Sequence, residues 1–206
     1  GSGTIAYDKS GYGNNGTLYD ANSTNADSNT PPKWVDGVFG KALSFDGVDD
    51  YVDVGNSTVY NSQKFTVIAW IKWAGGDLYY QTVIHKGTDT NREWGILKYV
   101  PSNGGQITAY IYDSNNTQYE FRSRIIPEIG KWYYAALTYD GSVGNFYIDG
   151  ILKVQRVVPN RKITTYNITI AAMSDLRNKW NGTVDEVRIF NRALTPEEIS
   201  DLYNYY

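Results

Sequence analysis

Phe146-Tyr147-Ile148-Asp149-Gly150-Ile151-Leu152 is the stretch that decides the fold. Two short apolar runs flank an Asp-Gly pair, and Asp and Gly tolerate the positive φ that a two-residue hairpin turn requires. The same grammar extends outward. Gln106–Tyr112 alternates Ile107, Ala109 and Ile111 with Gln106, Thr108, Tyr110 and Tyr112, a period of two. Phe65–Trp73 carries bulky residues on both faces, which predicts a strand covered on both sides. Residues 131–139 read in the same way, and residues 183–190 close the series with Val184, Val187, Ile189 and Phe190. Asp46-Gly47 and Asp140-Gly141 add turn signals between runs. Many short strands at this spacing predict an antiparallel sandwich or barrel.

One segment departs from that pattern. Thr195-Pro196-Glu197-Glu198 offers an N-cap hydroxyl, a proline at the first helical position and a glutamate at the third. Leu194 and Ile199 fit the hydrophobic staple around it, and Leu202 extends the apolar stripe. A short helix therefore follows the last strand.

The 206 residues suit one large β domain, with an aromatic-rich apolar fraction sufficient for a sizeable core. A formal charge of −3 excludes an electrostatic footprint for nucleic acid, since the densest basic stretch, 156–162, holds only Arg156, Arg161 and Lys162. Without cysteine, disulfides, thiolate nucleophiles and thiolate metal sites are excluded. No apolar run approaches the roughly 18 residues of a membrane span, so membrane insertion is not expected.

Several motifs together resemble a family. Gly1-Ser2-Gly3-Thr4, Ala6-Tyr7-Asp8-Lys9-Ser10-Gly11 and Gly13-Asn14-Asn15-Gly16-Thr17-Leu18 stand first. Trp34-Val35-Asp36-Gly37 and Phe39-Gly40-Lys41-Ala42-Leu43-Ser44-Phe45-Asp46-Gly47-Val48-Asp49-Asp50-Tyr51-Val52 follow. Phe65-Thr66-Val67-Ile68-Ala69-Trp70-Ile71, Lys131-Trp132-Tyr133, Phe146-Tyr147-Ile148-Asp149-Gly150 and Gly182-Thr183-Val184-Asp185-Glu186-Val187-Arg188-Ile189-Phe190 complete the order. The ordered set resembles laminin-G-like, concanavalin A-like domains over nearly the whole chain. It implies an all-β, two-sheet antiparallel jelly-roll sandwich, with residues 1–206 as a single domain. Lectins, adhesion modules and glucanases share this fold, so it does not by itself assign one function.

Related domains usually place a strand immediately before the segment resembling Gly1–Thr4, paired near Asp185 to Asn191. The resemblance therefore implies that the first family strand is missing, replaced by a shift of Ile5 to Tyr7, or donated by another chain. Donation would join subunits head to tail.

Catalysis is not expected. The Glu-x-Asp-x-x-Glu spacing of glucanases is absent, and adjacent acids such as Asp185-Glu186 face opposite sides of a strand. His85 is the only histidine, with no neighbouring nucleophile or orienting acid in sequence. What remains is recognition. Sugars need aromatic platforms and a few placed polar groups, and Tyr79, Tyr80, Trp94, Tyr110, Tyr112 and Arg122 are the candidates, with Gln118, Glu120 and Arg124 alternating beside Arg122. The same aromatics equally suit core packing. The expected partner is a glycan or cell-surface protein, with self-association as the alternative.

Calcium takes six to eight oxygen ligands. The turn Asp46-Gly47-Val48-Asp49-Asp50 supplies acids and carbonyls within five residues. Related domains often bind Ca²⁺ through such a turn, and that resemblance assigns Asp46 and Asp49, with Asp185 completing the set and Asp8 less secure. Asn15, Asn22, Asn56, Asn115, Asn167 and Asn181 each open an Asn-x-Ser/Thr sequon. Sequons and resemblance together predict an extracellular or cell-surface glycoprotein, a non-catalytic module for carbohydrate binding or adhesion. The alternative is a structural subunit of a surface assembly or filament.

Overall fold

The computed structural model describes residues 1–20, 31–76, 78–88, 90–99, 105–173 and 175–205. Its strands in chain order are β1 (Ile5–Ala6), β2 (Gly16–Asp20), β3 (Lys33–Asp36), β4 (Lys41–Asp46), β5 (Asp50–Gly55), β6 (Phe65–Trp73), β7 (Tyr80–Gly87), β8 (Arg92–Tyr99), β9 (Gln106–Tyr112), β10 (Gln118–Arg122), β11 (Trp132–Tyr139), β12 (Val143–Ile148), β13 (Ile151–Val157), β14 (Ile168–Ile170) and β15 (Asn181–Phe190), followed by helix α1 (Pro196–Asn204). Two antiparallel sheets stack face to face. One has the order β1-β2-β5-β14-β7-β8-β9-β10, the other β13-β12-β11-β6-β15-β4-β3.

The Asp149-Gly150 hairpin forms as its residues require. Asp149 and Gly150 have φ of 53° and 73°, and Ile148 pairs with Ile151 across the turn. The alternation in β9 also holds, with Ile107, Ala109 and Ile111 fully buried between the sheets. In β6, Phe65, Val67, Ala69 and Ile71 enter that same core. Ile68 and Trp70 point the other way, into a second cluster with Leu194 and Ile199. Helix α1 explains this double coverage. Thr195 and Glu198 form the reciprocal capping box, Ile199 is buried, and Tyr203 stacks on Trp70 at 5.6 Å. Burial of one such aliphatic side chain stabilises by about 1.5–3 kcal/mol, enough to hold a helix too short to persist alone.

At one end of the sandwich lies a buried ion cluster. Glu93 accepts from Lys86 Nζ at 2.6 Å, from Thr164 N at 2.7 Å and from Arg161. Burial pushes both Lys86 and Arg161 below their ordinary pKa values, while the Glu93 charge opposes that shift. Removing one member would leave an uncompensated buried charge. The cluster therefore fixes Thr164 and the segment that follows it.

Among the described residues, the last strand is paired on both sides only in its first part. Pairing of β15 with β4 ends at Val184↔Leu43, whereas pairing with β6 continues to Phe190↔Thr66. Val187 and Ile189 pack on the core but are only partly buried. Ile5 and Ala6 do not fill this place, because β1 pairs with β2 at the edge of the other sheet.

Candidate functional site

The outer face of the eight-stranded sheet carries the candidate residues. Strand register aligns one row across it: Thr17, Asp53, Thr169, His85, Gly95, Tyr110 and Glu120. Further along the β7–β8 ladder, past a register shift between Thr82 and Ile84, Tyr80 pairs with Tyr99. Their rings stack 4.9 Å apart at 6°. Tyr79 stands edge-on to both, at 4.8 Å from Tyr80 and 5.3 Å from Tyr99. The Tyr79 and Tyr99 hydroxyls lie 3.2 Å apart, and this bond raises the Tyr79 pKa.

Polar groups join the cluster from β10, where alternate residues share a face. The Arg122 guanidinium lies 5.4 Å from the Tyr99 ring centroid and donates through Nε to Glu120 at 2.8 Å. Gln118 donates to the other Glu120 oxygen at 3.2 Å and accepts from the Tyr112 hydroxyl at 2.8 Å. Tyr79 is 54% exposed. The result is a rigid aromatic patch rimmed by a carboxylate, an amide and a guanidinium, a surface suited to the apolar faces and hydroxyl edges of sugar rings.

The structure unites Tyr79, Tyr80, Tyr112 and Arg122, but corrects two other candidates. Trp94 is 1% exposed and stacks on Phe65 inside the sandwich. The bulge in the β7–β8 ladder between Lys86 and Gly87 spans this region, and Trp94 falls on the core side. Tyr110 shares a face with Tyr112 but is 2% exposed, with its hydroxyl bonded to His85 Nδ1. Neither offers a platform. Tyr99, which the sequence reading missed, replaces them. Its signal lies in the β7–β8 hairpin: counting back from Gly87↔Arg92 brings Tyr99 opposite Tyr80.

The acidic turn gathers a different set from the one expected. Carboxylate oxygens of Asp46, Asp49 and Asp50 lie within 4.8 Å of one another. Asp50 is 5% exposed, and its Oδ1 has no hydrogen-bond partner among the described residues. Desolvation, followed by the Asp46 charge, pushes Asp50 up to about 7. Lys179 donates to the Asp49 carbonyl at 3.0 Å, and burial pushes it down to about 8. Excess buried negative charge and a spare carboxylate oxygen fit a hard divalent cation. Asp185 does not belong to this group. Its Oδ2 accepts from Val38 N at 2.7 Å and Phe39 N at 3.1 Å, clamping the β3–β4 turn. Asp8 likewise serves a local turn, accepting from Ser10 N and Asn14 N.

Among the sequons, Asn15, Asn56 and Asn115 are exposed. Asn167 and Asn181 are partly buried, and Asn167 Nδ2 donates to both Asp53 oxygens at 3.0 and 2.9 Å. Asn22 lies outside the described residues.

A sequence model of the concanavalin A-like lectin/glucanases superfamily, in its laminin-G-like form, matches residues 46–200. The chain belongs to this superfamily. No curated protein matches this laminin-G-like chain significantly. Among solved structures, domain 4 of AbnA, an extracellular arabinanase from Geobacillus stearothermophilus solved with arabinotriose, shares 20% identity. The TM-score is 0.73, over 91% of this chain and 87% of that one. The binding domain of Paraclostridial Mosquitocidal Protein 1 gives a TM-score of 0.77 at 18% identity, over 97% of this chain and 49% of that one. The botulinum neurotoxin type G receptor-binding domain gives 0.67 at 17%, over 97% and 48%. The laminin-G-like chain thus spans about half the length of the toxin binding domains. At these identities the likeness shows the shared fold.

Proposed function

We propose that this is a non-catalytic, extracellular or cell-surface recognition module that binds carbohydrate. The observation that carries the reading is the Tyr79–Tyr80–Tyr99 cluster, with Arg122 and Glu120 at its rim. Similarity to a domain solved with arabinotriose and to toxin receptor-binding domains supports it. The spacing of acids along the row across the sheet face that carries the tyrosine cluster supports a non-catalytic role for that face. Asp53 and Glu120 occupy the row five strands apart, about 24 Å, whereas a glycosidase pair needs roughly 5–9.5 Å. Exposed sequons at Asn15, Asn56 and Asn115 support an exported glycoprotein. Asp46, Asp49 and Asp50 would hold Ca²⁺, which would neutralise the turn and serve structure rather than reaction. A glycan array tests the main reading. Defined, competable binding that is lost in Tyr99→Ala is expected, and polysaccharide hydrolysis by the purified domain would refute it.

A second reading, assembly by strand addition, is favoured by the ladder of β15 beyond Val184, which is one-sided among the described residues. An added strand would supply main-chain hydrogen bonds and alternate side chains beside Val187 and Ile189. Light scattering showing concentration-dependent self-association, with silence on the glycan array, would favour this reading over the first.

A further inference from the structure

The same sheet face holds a second recess, at its β5–β14 end, which the tyrosine cluster does not use. It encloses about 340 Å³, and Tyr51, Asp53, Thr88, Tyr166, Asn167 and Leu176 form most of its wall. That volume sits at the small end of ligand pockets, suitable for one ring rather than an extended chain.

Asp53 is held in place. Its Oδ1 accepts from Gly55 N at 2.8 Å, and Asn167 Nδ2 bridges both oxygens. A carboxylate has about four acceptor sites, so these three bonds fix its orientation and leave capacity for a hydroxyl. The Tyr51, Thr88 and Tyr166 hydroxyls make no hydrogen bond to any described residue, which leaves three uncommitted groups at the wall. Tyr51 is braced by stacking on Tyr19 at 5.1 Å. Tyr166 follows the segment that the buried Glu93 pins through Thr164. Such bracing lowers the ordering cost of binding. Asp53 is the only charged side chain of the wall among the described residues, and its carboxylate disfavours anions there.

We propose that this recess is a second, separate binding site for a neutral sugar residue. The Tyr51 and Tyr166 rings meet its C–H faces, while Asp53 and the free hydroxyls take its hydroxyl groups. The proposal rests on the glycan-binding reading of this face. Two strand spacings from Asp53 to His85 and five residues along β7 from His85 to Tyr80 place the two sites about 20 Å apart. A short oligosaccharide then occupies each site independently, and a long one engages both with a gain from effective concentration.

Calorimetry and backbone NMR with arabinotriose, xylotriose and mannotriose test this. With at least one of these probes, the wild type is expected to bind two molecules, with shifts at Tyr51, Asp53 and Tyr166 as well as at Tyr79 and Tyr99. Tyr166→Ala and Thr88→Ala, at positions outside the core, should each weaken the recess site at least tenfold while the tyrosine cluster keeps its affinity. Tyr99→Ala should do the reverse. A trisaccharide of uronic acids should leave the recess signals unmoved. Binding at the tyrosine cluster alone, unchanged in Tyr166→Ala, would overturn the second site and leave the first. Recess shifts that survive while Tyr99→Ala changes nothing would uphold the recess and refute the cluster. Silence at Tyr51, Asp53 and Tyr166 with all three probes would overturn the proposal.

Discussion

Gly95 lies directly beneath the hydroxyl of Tyr110: a Cβ at this glycine would stand 2.6 Å from the Tyr110 oxygen. The two residues are cross-strand partners in the central row of the sheet, and the space left by the missing side chain lets Tyr110 reach His85. Gly95→Ala should push Tyr110 away and destabilise the fold by about 1–3 kcal/mol. Urea unfolding would check this, as a lower midpoint with an unchanged slope.

Two neighbouring aromatics on β8 should behave oppositely. Trp94→Ala empties a core position against Phe65 and should cost about 3–5 kcal/mol of stability. Tyr99→Ala removes a partly exposed ring and should leave the thermal midpoint within a few degrees while weakening glycan binding at least tenfold. Thermal melts alongside array binding separate the two effects. Equal loss of stability would place Tyr99 in the structural core.

Asp185→Ala should release the β3–β4 turn, because Val38 and Phe39 amides lose a shared carboxylate acceptor. A loss of about 2–4 kcal/mol is expected from two charge-assisted bonds to partly buried donors. Hydrogen exchange at those two amides should rise. The calcium isotherm should stay as in the wild type, since Asp185 stands outside the acidic turn.

The acidic turn sets a pH dependence. The folded-state pKa of Asp50, about 7, lies above its ordinary 3.8. Its contribution is therefore fully present below about pH 4 and is lost as pH rises through 7. Without calcium, the protein should unfold at a higher denaturant concentration at pH 5 than at pH 8. Calcium at 100 times its dissociation constant should restore about 2.7 kcal/mol at pH 8. Asp50→Asn should flatten the pH dependence and abolish the calcium response, and calcium stabilisation persisting in that variant would remove Asp50 from the site.

The sandwich was legible because its signals are local. Asp149-Gly150 meets the φ demands of its turn, and Thr195 with Glu198 caps its own helix. The site was legible only in part, because burial is decided by distant partners. A period of two puts Tyr110 and Tyr112 on one face, yet cannot say that Tyr110 will be enclosed beside His85 while Tyr112 reaches Gln118. Trp94 was misplaced because nearness in sequence to Tyr79 and Tyr80 does not set its face: along β8 it alternates in step with Ile96, and both enter the core. Asp185 was drawn to the wrong loop because residues 37–40 and the Asp46–Asp50 turn flank the same strand, β4, at almost the same distance in sequence. Only the fold shows that its carboxylate reaches the Val38 and Phe39 amides, 147 and 146 residues away.

The order β6-β15-β4 has a consequence for biosynthesis. The strand that closes the middle of the seven-stranded sheet is the last one made, so the facing edges of β4 and β6 wait for it. At roughly 5–20 residues per second, on the order of ten seconds separates the completion of β6 from the arrival of β15. During that interval the nascent chain presents two unpaired edges and a half-built core, and nearby edges on other nascent chains compete for them. A folding helper that shields β4 and β6 while the ribosome reaches residue 190 should raise the yield more than one that acts after release.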